Sequence, residues 1–255
     1  MKPMRLDKNG IPVLSRTDID ERVEAFIRYF DESCLVEPKP TPIASICTEL
    51  RDKHGLNFKF GIDLGDTKEG YKYRGEYSLT SNTISIDSCL EYASPAFNFT
   101  LAHELGHYVL HRRLDLEAID AAISSEIKDT NRELVLDHMQ GNNLRSWLEW
   151  QANKFASSLL MPRRTLRIAV AEKQKEMGLT RNAGIIYLDR GAGSFRDFQD
   201  QIENLMLIFQ SSKSSIRLRL RELTILIEAE GGPDQRANET KNLSELLSDF
   251  VTTRR

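Results

Sequence analysis

Residues 103–107, His-Glu-Leu-Gly-His, place two imidazoles and a carboxylate at a spacing that suits metal chemistry. The surrounding run from Pro95 to His111 is largely apolar, and we expect it to be helical. On a helix of about 3.6 residues per turn, positions i, i+1 and i+4 share one face. His103 and His107 can therefore bind one metal ion, and Glu104 can reach a water on it. The spacing predicts zinc-dependent peptide hydrolysis; the alternative is a pair of helix histidines beside an exposed glutamate.

A site of this kind needs a third protein ligand from another element. Glu149 is the best candidate, because it lies in a second run with a helical apolar face. Asn153 shares its face four residues later and could accept the ring N–H of a liganding histidine. On spacing alone, a solvated Glu149 with an incidental Asn153 is an equally good interpretation.

Two blocks of sequence, residues 97–111 and 149–162, together resemble the ImmA/IrrE family of zinc metallopeptidases. The pair of blocks is far more specific than the five-residue motif alone. The resemblance covers roughly residues 40–165, with a weaker similarity near 205–226.

The resemblance implies that His103, His107 and Glu149 bind one zinc ion per chain and that Glu104 is the general base. It also implies a narrow cytoplasmic substrate, usually a helix-turn-helix repressor encoded nearby, in the service of a mobile element or a stress response. No spacing selects an oxyanion-stabilising residue. We expect His111 at the helix end, where a partly positive imidazole suits the helix dipole, rather than on the metal.

Around the motifs, apolar periodicity predicts helices at residues 18–33 and from Pro42, a strand at 56–62 and a hairpin at 71–86. We therefore expect an α+β fold, with the active-site helix packed on a small, mostly antiparallel sheet. This zincin-like metallopeptidase domain would span residues 1–165. The part of the hairpin at residues 77–86 either binds substrate as an edge strand or simply covers the core.

A segment at about residues 112–146 separates the two motifs and is longer than the family pattern. Its helical, acid-leaning composition predicts a helical insert. The insert could form a lid, recognise a basic partner, or be a solvated helical excursion.

Beyond the peptidase domain, we predict a helical, helix-turn-helix-like region at residues 166–230 and a linker with a short amphipathic helix at 231–255. In the former, an apolar helix is followed by a Ser-rich turn and a second helix that carries Arg217, Arg219 and Arg221. Together with Lys213, these three arginines are candidate nucleic-acid contacts. They raise the alternative of a DNA-binding or protein-binding regulator that keeps zinc as a sensor or structural element. Related peptidases also carry this helical unit as scaffold, so the resemblance does not imply DNA binding.

The composition of the 255 residues agrees with a cytoplasmic enzyme. A net charge of −3 provides no global attraction to nucleic acid or membranes. The first residues lack an apolar signal region, and no run approaches the length of a membrane span. Three scattered cysteines are too few for a disulfide framework. Nothing in the sequence predicts an oligomeric state.

Overall fold

The computed structural model describes residues 12–66, 72–112, 114, 144–180, 183–189, 191–229 and 253–254. The predicted insert at 112–146 lies almost wholly outside these residues, as does the predicted C-terminal helix. The fold is mixed α+β, and its described elements are, in chain order, α1 (Arg16–Asp31), a 3-10 helix (Glu32–Leu35), α2 (Ile43–His54), β1 (Asn57–Ile62), β2 (Gly75–Ser78), β3 (Thr83–Asp87), α3 (Pro95–His111), α4 (Leu144–Leu160), α5 (Arg163–Glu176), β4 (Ile186–Leu188), α6 (Ala192–Phe209), α7 (Lys213–Glu222), β5 (Leu226–Glu228) and β6 (Thr253–Arg254).

Local sequence sets where α3 begins and where α2 ends. At α3, the Ser94 hydroxyl accepts the backbone N–H of Phe97 at 3.1 Å, and Pro95 occupies the first helical position. At the end of α2, Gly55 adopts a left-handed φ of 65° and donates its N–H to the last helical carbonyls. The predicted order along the chain, two helices followed by a strand and a hairpin, is confirmed by α1, α2, β1 and the β2–β3 hairpin.

The main sheet has the strand order β1-β3-β2-β6. Only β2 and β3 pair antiparallel; β1 with β3 and β2 with β6 pair parallel. The prediction of a mostly antiparallel sheet is therefore wrong. The physical reason is that the β2–β3 hairpin places its second strand in the middle, directly beside β1 and in the same direction. Neither strand of the hairpin is an edge of this sheet, because β3 pairs with β1 and β2, and β2 pairs with β3 and β6. Every residue of β3 is buried, which agrees with the alternative that the hairpin covers the core.

The helix α3 lies between the sheet and α4, and its close approach to α4 depends on Gly106. A Cβ at Gly106 would lie 3.1 Å from both the Cα and the carbonyl oxygen of Ala152, so any side chain there would push the two helices apart.

One cluster of buried apolar side chains runs from Leu14 to Leu226 and includes residues of α5, α6 and α7. The predicted domain boundary at residue 165 thus coincides with no break in the core, and it stays a prediction. Among the described residues, no helix has both the length and the apolar character needed to cross a membrane.

Candidate metal centre

Three ligand atoms meet where α3 packs against α4. His103 and His107 lie one turn apart on α3, with their Nε2 atoms 3.1 Å from each other. The carboxylate oxygen Oε2 of Glu149, on α4, lies 3.2 Å from the first of these nitrogens and 3.6 Å from the second. The structure thus brings together the three residues that sequence reasoning selected as metal ligands.

The donor atoms fit a zinc ion in both spacing and charge. With bonds of about 2.0–2.2 Å, the ligand atoms of a tetrahedral zinc lie about 3.3 Å apart, close to the separations observed here. Burial opposes protonation of His103, yet the hydrogen bond to Glu149 and the charge of Glu104 outweigh it and raise the pKa of the imidazole. The negative potential that draws a proton to His103 would draw a metal cation equally. The side chains of His107 and Glu149 are 14% and 29% exposed among the described residues.

Glu104 is fully buried beside this cluster. Among the described residues, neither of its carboxylate oxygens has a hydrogen-bond partner of ordinary geometry. Burial raises the pKa of Glu104 to about 8, helped by the charges of Glu149 and Glu76 and opposed by His103 and the backbone N–H of Tyr77. A buried carboxylate without a firm partner is costly unless another polar group serves it. A water held by a metal at the adjacent ligands would be such a group, so the residues present fit a metal ion.

Asn153 lies where the sequence placed it, one turn beyond Glu149 on the face of α4 that meets α3. Its side-chain oxygen is 2.8 Å from Nδ1 of His103. When that nitrogen carries the proton and donates it to Asn153, Nε2 of His103 keeps a lone pair toward the other two ligand atoms. The geometry is therefore suitable for the predicted orienting role.

His111 lies at the end of α3, as expected. It is the last residue of α3, but its ring is buried, with Nδ1 3.0 Å from Nδ1 of His107. Burial, followed by the nearby charge of His107, lowers the pKa of His111 to about 3. The expected charge is not supported, because packing against α4 removes the ring from water and the lowered pKa keeps the imidazole neutral.

Two further residues of the site carried no usable sequence pattern. Gly75 begins β2 directly beside the carboxylate: a Cβ there would lie 2.6 Å from Oε1 of Glu104. Gln151 lies on α4 between the predicted ligand and Asn153, and its side chain reaches His111. Both contacts join segments that are distant in sequence, so spacing alone does not reveal them.

The four candidate nucleic-acid contacts lie on α7, which follows α6 after a short turn with Gln210 at a left-handed φ of 49°. Arg219 is only 1% exposed, and its guanidinium binds Asp20 at 2.8 Å, Glu222 at 3.0 Å and the carbonyl of Met161 at 3.2 Å. The prediction that Arg219 contacts nucleic acid is wrong, because this guanidinium belongs to a buried ion-pair network. Lys154 of α4 joins the same network through Asp20, at 3.0 Å.

The other three cations on α7 lie nearer the surface but have partners within the chain. Arg217 and Arg221 both bind the carboxylate of Glu228. Lys213 donates to the side-chain oxygen of Gln199 at 2.7 Å. Contact of these three residues with nucleic acid stays a prediction, and it would require them to exchange existing partners.

The mixed α+β fold carries a histidine–histidine–glutamate group that could hold a metal ion. Residues 59–187 match a peptidase family described as the IrrE N-terminal-like domain. The chain therefore belongs to this family, and its resemblance to the ImmA/IrrE peptidases is confirmed. Membership suggests a metallopeptidase-like or regulatory function.

Among solved structures, the chain is similar to a Mycobacterium tuberculosis transcriptional regulator, with 15% sequence identity and a TM-score of 0.45. The similarity covers 91% of this chain and 51% of that one, so the chain spans about half the length of the regulator. So weak a similarity supports no statement about fold or function. No curated protein sequence matches the chain.

Proposed function

We propose that the protein is a zinc-dependent endopeptidase that cleaves one cytoplasmic regulatory protein, a helix-turn-helix transcriptional repressor. One observation carries the proposal: three metal-ligating atoms converge beside a buried glutamate that has no firm partner among the described residues. A purely structural zinc site needs no such glutamate. Glu104 therefore counts against the alternative of a regulator in which zinc is only a sensor or a structural element.

In this mechanism His103, His107 and Glu149 would hold the zinc ion. When bound, zinc would acidify a coordinated water and polarise the scissile carbonyl. Glu104 would accept a proton on a carboxylate oxygen and deliver it to the nitrogen of the leaving amine. Asn153 would keep Nδ1 of His103 protonated. The close packing of α3 on α4 at Gly106 would hold the ligands from the two helices in register.

The strand β2 supports an extended mode of substrate binding. It begins beside Glu104, and its outer side pairs with β6 at Gly75 and Glu76. This side of β2 can therefore accept an added strand, which is how many peptide-binding sheets hold an extended ligand. A substrate segment bound there would replace β6 and pass close to the metal ligands. The narrow substrate range is inferred from the family resemblance.

The proposal is tested by comparing new protein N-termini in host lysate treated with zinc-loaded wild type or with zinc-loaded Glu104→Gln. We expect one or a few new termini that only the wild type produces, and these would identify the substrate and the bond. Identical termini in both samples would contradict endoproteolysis. A generic substrate such as casein is a poor replacement, because a peptidase with one target need not cleave it.

A further inference from the structure

We infer that His111 and Gln151 are positioning residues that fix which nitrogen of His107 carries the proton, so that its Nε2 faces the metal with a free lone pair. The inference rests on the metal site of the proposed function and deepens it. It depends on a hydrogen-bond chain that starts at the backbone carbonyl of Pro12 and ends at the ligand.

The first link fixes the orientation of the Gln151 amide. The carbonyl oxygen of Pro12 lies 2.7 Å from Nε2 of Gln151 and 3.2 Å from the indole nitrogen of Trp147. A carbonyl oxygen can only accept hydrogen bonds, so the NH₂ group of Gln151 must point toward Pro12. The reversed amide would set two acceptor oxygens against each other in the interior, where Gln151 is fully buried. The side-chain oxygen Oε1 therefore faces His111.

The second link fixes the proton on His111. Oε1 of Gln151 lies 3.1 Å from Nε2 of His111 and accepts only, so that nitrogen must carry the hydrogen. The ring is 4% exposed, and its hydrogen-bond partners are an amide and another imidazole rather than a carboxylate. A charged imidazolium is costly in such surroundings. The neutral ring thus presents an unprotonated Nδ1.

The third link reaches the metal ligand. Nδ1 of His107 lies 3.0 Å from the unprotonated Nδ1 of His111, so His107 must donate from that position. Its other nitrogen, Nε2, is then left with a lone pair, 3.1 Å from Nε2 of His103 and 3.6 Å from Oε2 of Glu149. From Pro12 to Nδ1 of His107, with His111 neutral, only this direction keeps all three hydrogen bonds of the chain.

A single helix then supplies a ligand and both orienting amides. Along α4, Glu149 contributes the carboxylate, Gln151 orients His107 through His111, and Asn153 orients His103. Pro12, which anchors the chain, lies outside the matched residues 59–187, so a segment beyond the family domain contributes to the metal site.

Nitrogen-15 NMR of histidine-labelled full-length protein tests the protonation pattern directly. In the zinc-bound protein, long-range proton–nitrogen correlations should show His111 with its proton on Nε2, and His107 with its proton on Nδ1 and metal on Nε2. A proton on Nδ1 of His111, or metal on Nδ1 of His107, would overturn the inference.

Zinc affinity, measured by chelator competition with zinc alone, provides the second test. Loss of an outer partner of a metal ligand typically weakens binding about 10- to 100-fold. We expect a loss of this size in Gln151→Leu and His111→Leu, and recovery in His111→Gln, which restores an acceptor for His107. The matched control is Gln174→Leu, which removes another buried glutamine, hydrogen-bonded to Gly184 and Ile185 away from the metal ligands.

Unchanged zinc affinity in both leucine variants would overturn the inference, as would an equal loss in the control. If the variants do not fold, the NMR measurement on wild type still decides. Neither readout needs a substrate. A protein that binds zinc with the stated proton pattern but cleaves nothing would therefore contradict the proposed function and leave the inference standing.

Discussion

Replacing Gly75 with alanine should move the catalytic carboxylate without touching a metal ligand. The added Cβ would lie 2.6 Å from Oε1 of Glu104 and 2.7 Å from Cγ2 of Thr100. Non-bonded atoms prefer about 3.5 Å or more, so the carboxylate must retreat by about 1 Å. A misplacement of about 1 Å can reduce a rate by about 10²-fold. We therefore expect Gly75→Ala to lower kcat about 100-fold.

The assay pairs this rate with zinc affinity. Hydrolysis of a peptide spanning the bond identified in lysate gives kcat, and chelator competition gives the zinc Kd, which should stay within about threefold of wild type because no ligand moves. Gly193→Ala is the control, since nothing lies within 4 Å of a Cβ at that position. A wild-type kcat in Gly75→Ala would refute the placement of Glu104 beside β2. A large loss of zinc would show that the substitution disturbs the metal site as a whole.

Three other substitutions or deletions have defined outcomes. Glu149→Ala should weaken zinc binding by more than the about 10- to 100-fold expected for loss of an outer partner, and full zinc occupancy at low free zinc would refute its role as third ligand. Lys154→Met should destabilise the fold by about 3–5 kcal/mol in urea unfolding, because it leaves Asp20 in a buried network with one cation fewer. The exposed counterpart Lys53→Met should cost far less, because solvent screens its ion pair, and equal costs would contradict the buried network. Removal of residues 253–255 should lower KM for the peptide several-fold, since β6 occupies the outer side of β2; an unchanged KM would argue against this docking edge.

The parts of the fold that depend on neighbouring residues were predictable from the sequence. Helix α3 follows from its serine cap, its proline and its apolar spacing, and the turn of the hairpin follows from Ser81 and Asn82, which adopts a left-handed φ of 47°. His103 and His107 come together through helix geometry alone. The prediction of Glu149 as the third ligand required a second sequence pattern, because this residue lies on another helix.

The parts that depend on packing between distant segments were not predictable. The parallel pairing of β1 with β3 results from where the hairpin docks, which no local pattern encodes. The contact of Gly75 with Glu104 and the chain from Pro12 to His107 likewise join separate segments. Arg219 has the sequence pattern of a surface recognition helix, yet its guanidinium is buried because Asp20 and Glu222 neutralise it in the interior.

The most direct test of zinc-dependent catalysis is a titration of metal-free protein with zinc, in which peptide cleavage and bound zinc are measured in the same samples. Wild-type activity should rise in proportion to bound zinc and reach its maximum at about one ion per chain, the number that the three converging ligand atoms can hold. Glu104→Gln should bind zinc along the same curve and remain inactive. Cleavage by the metal-free protein, or by the zinc-loaded Glu104→Gln variant, would contradict the account.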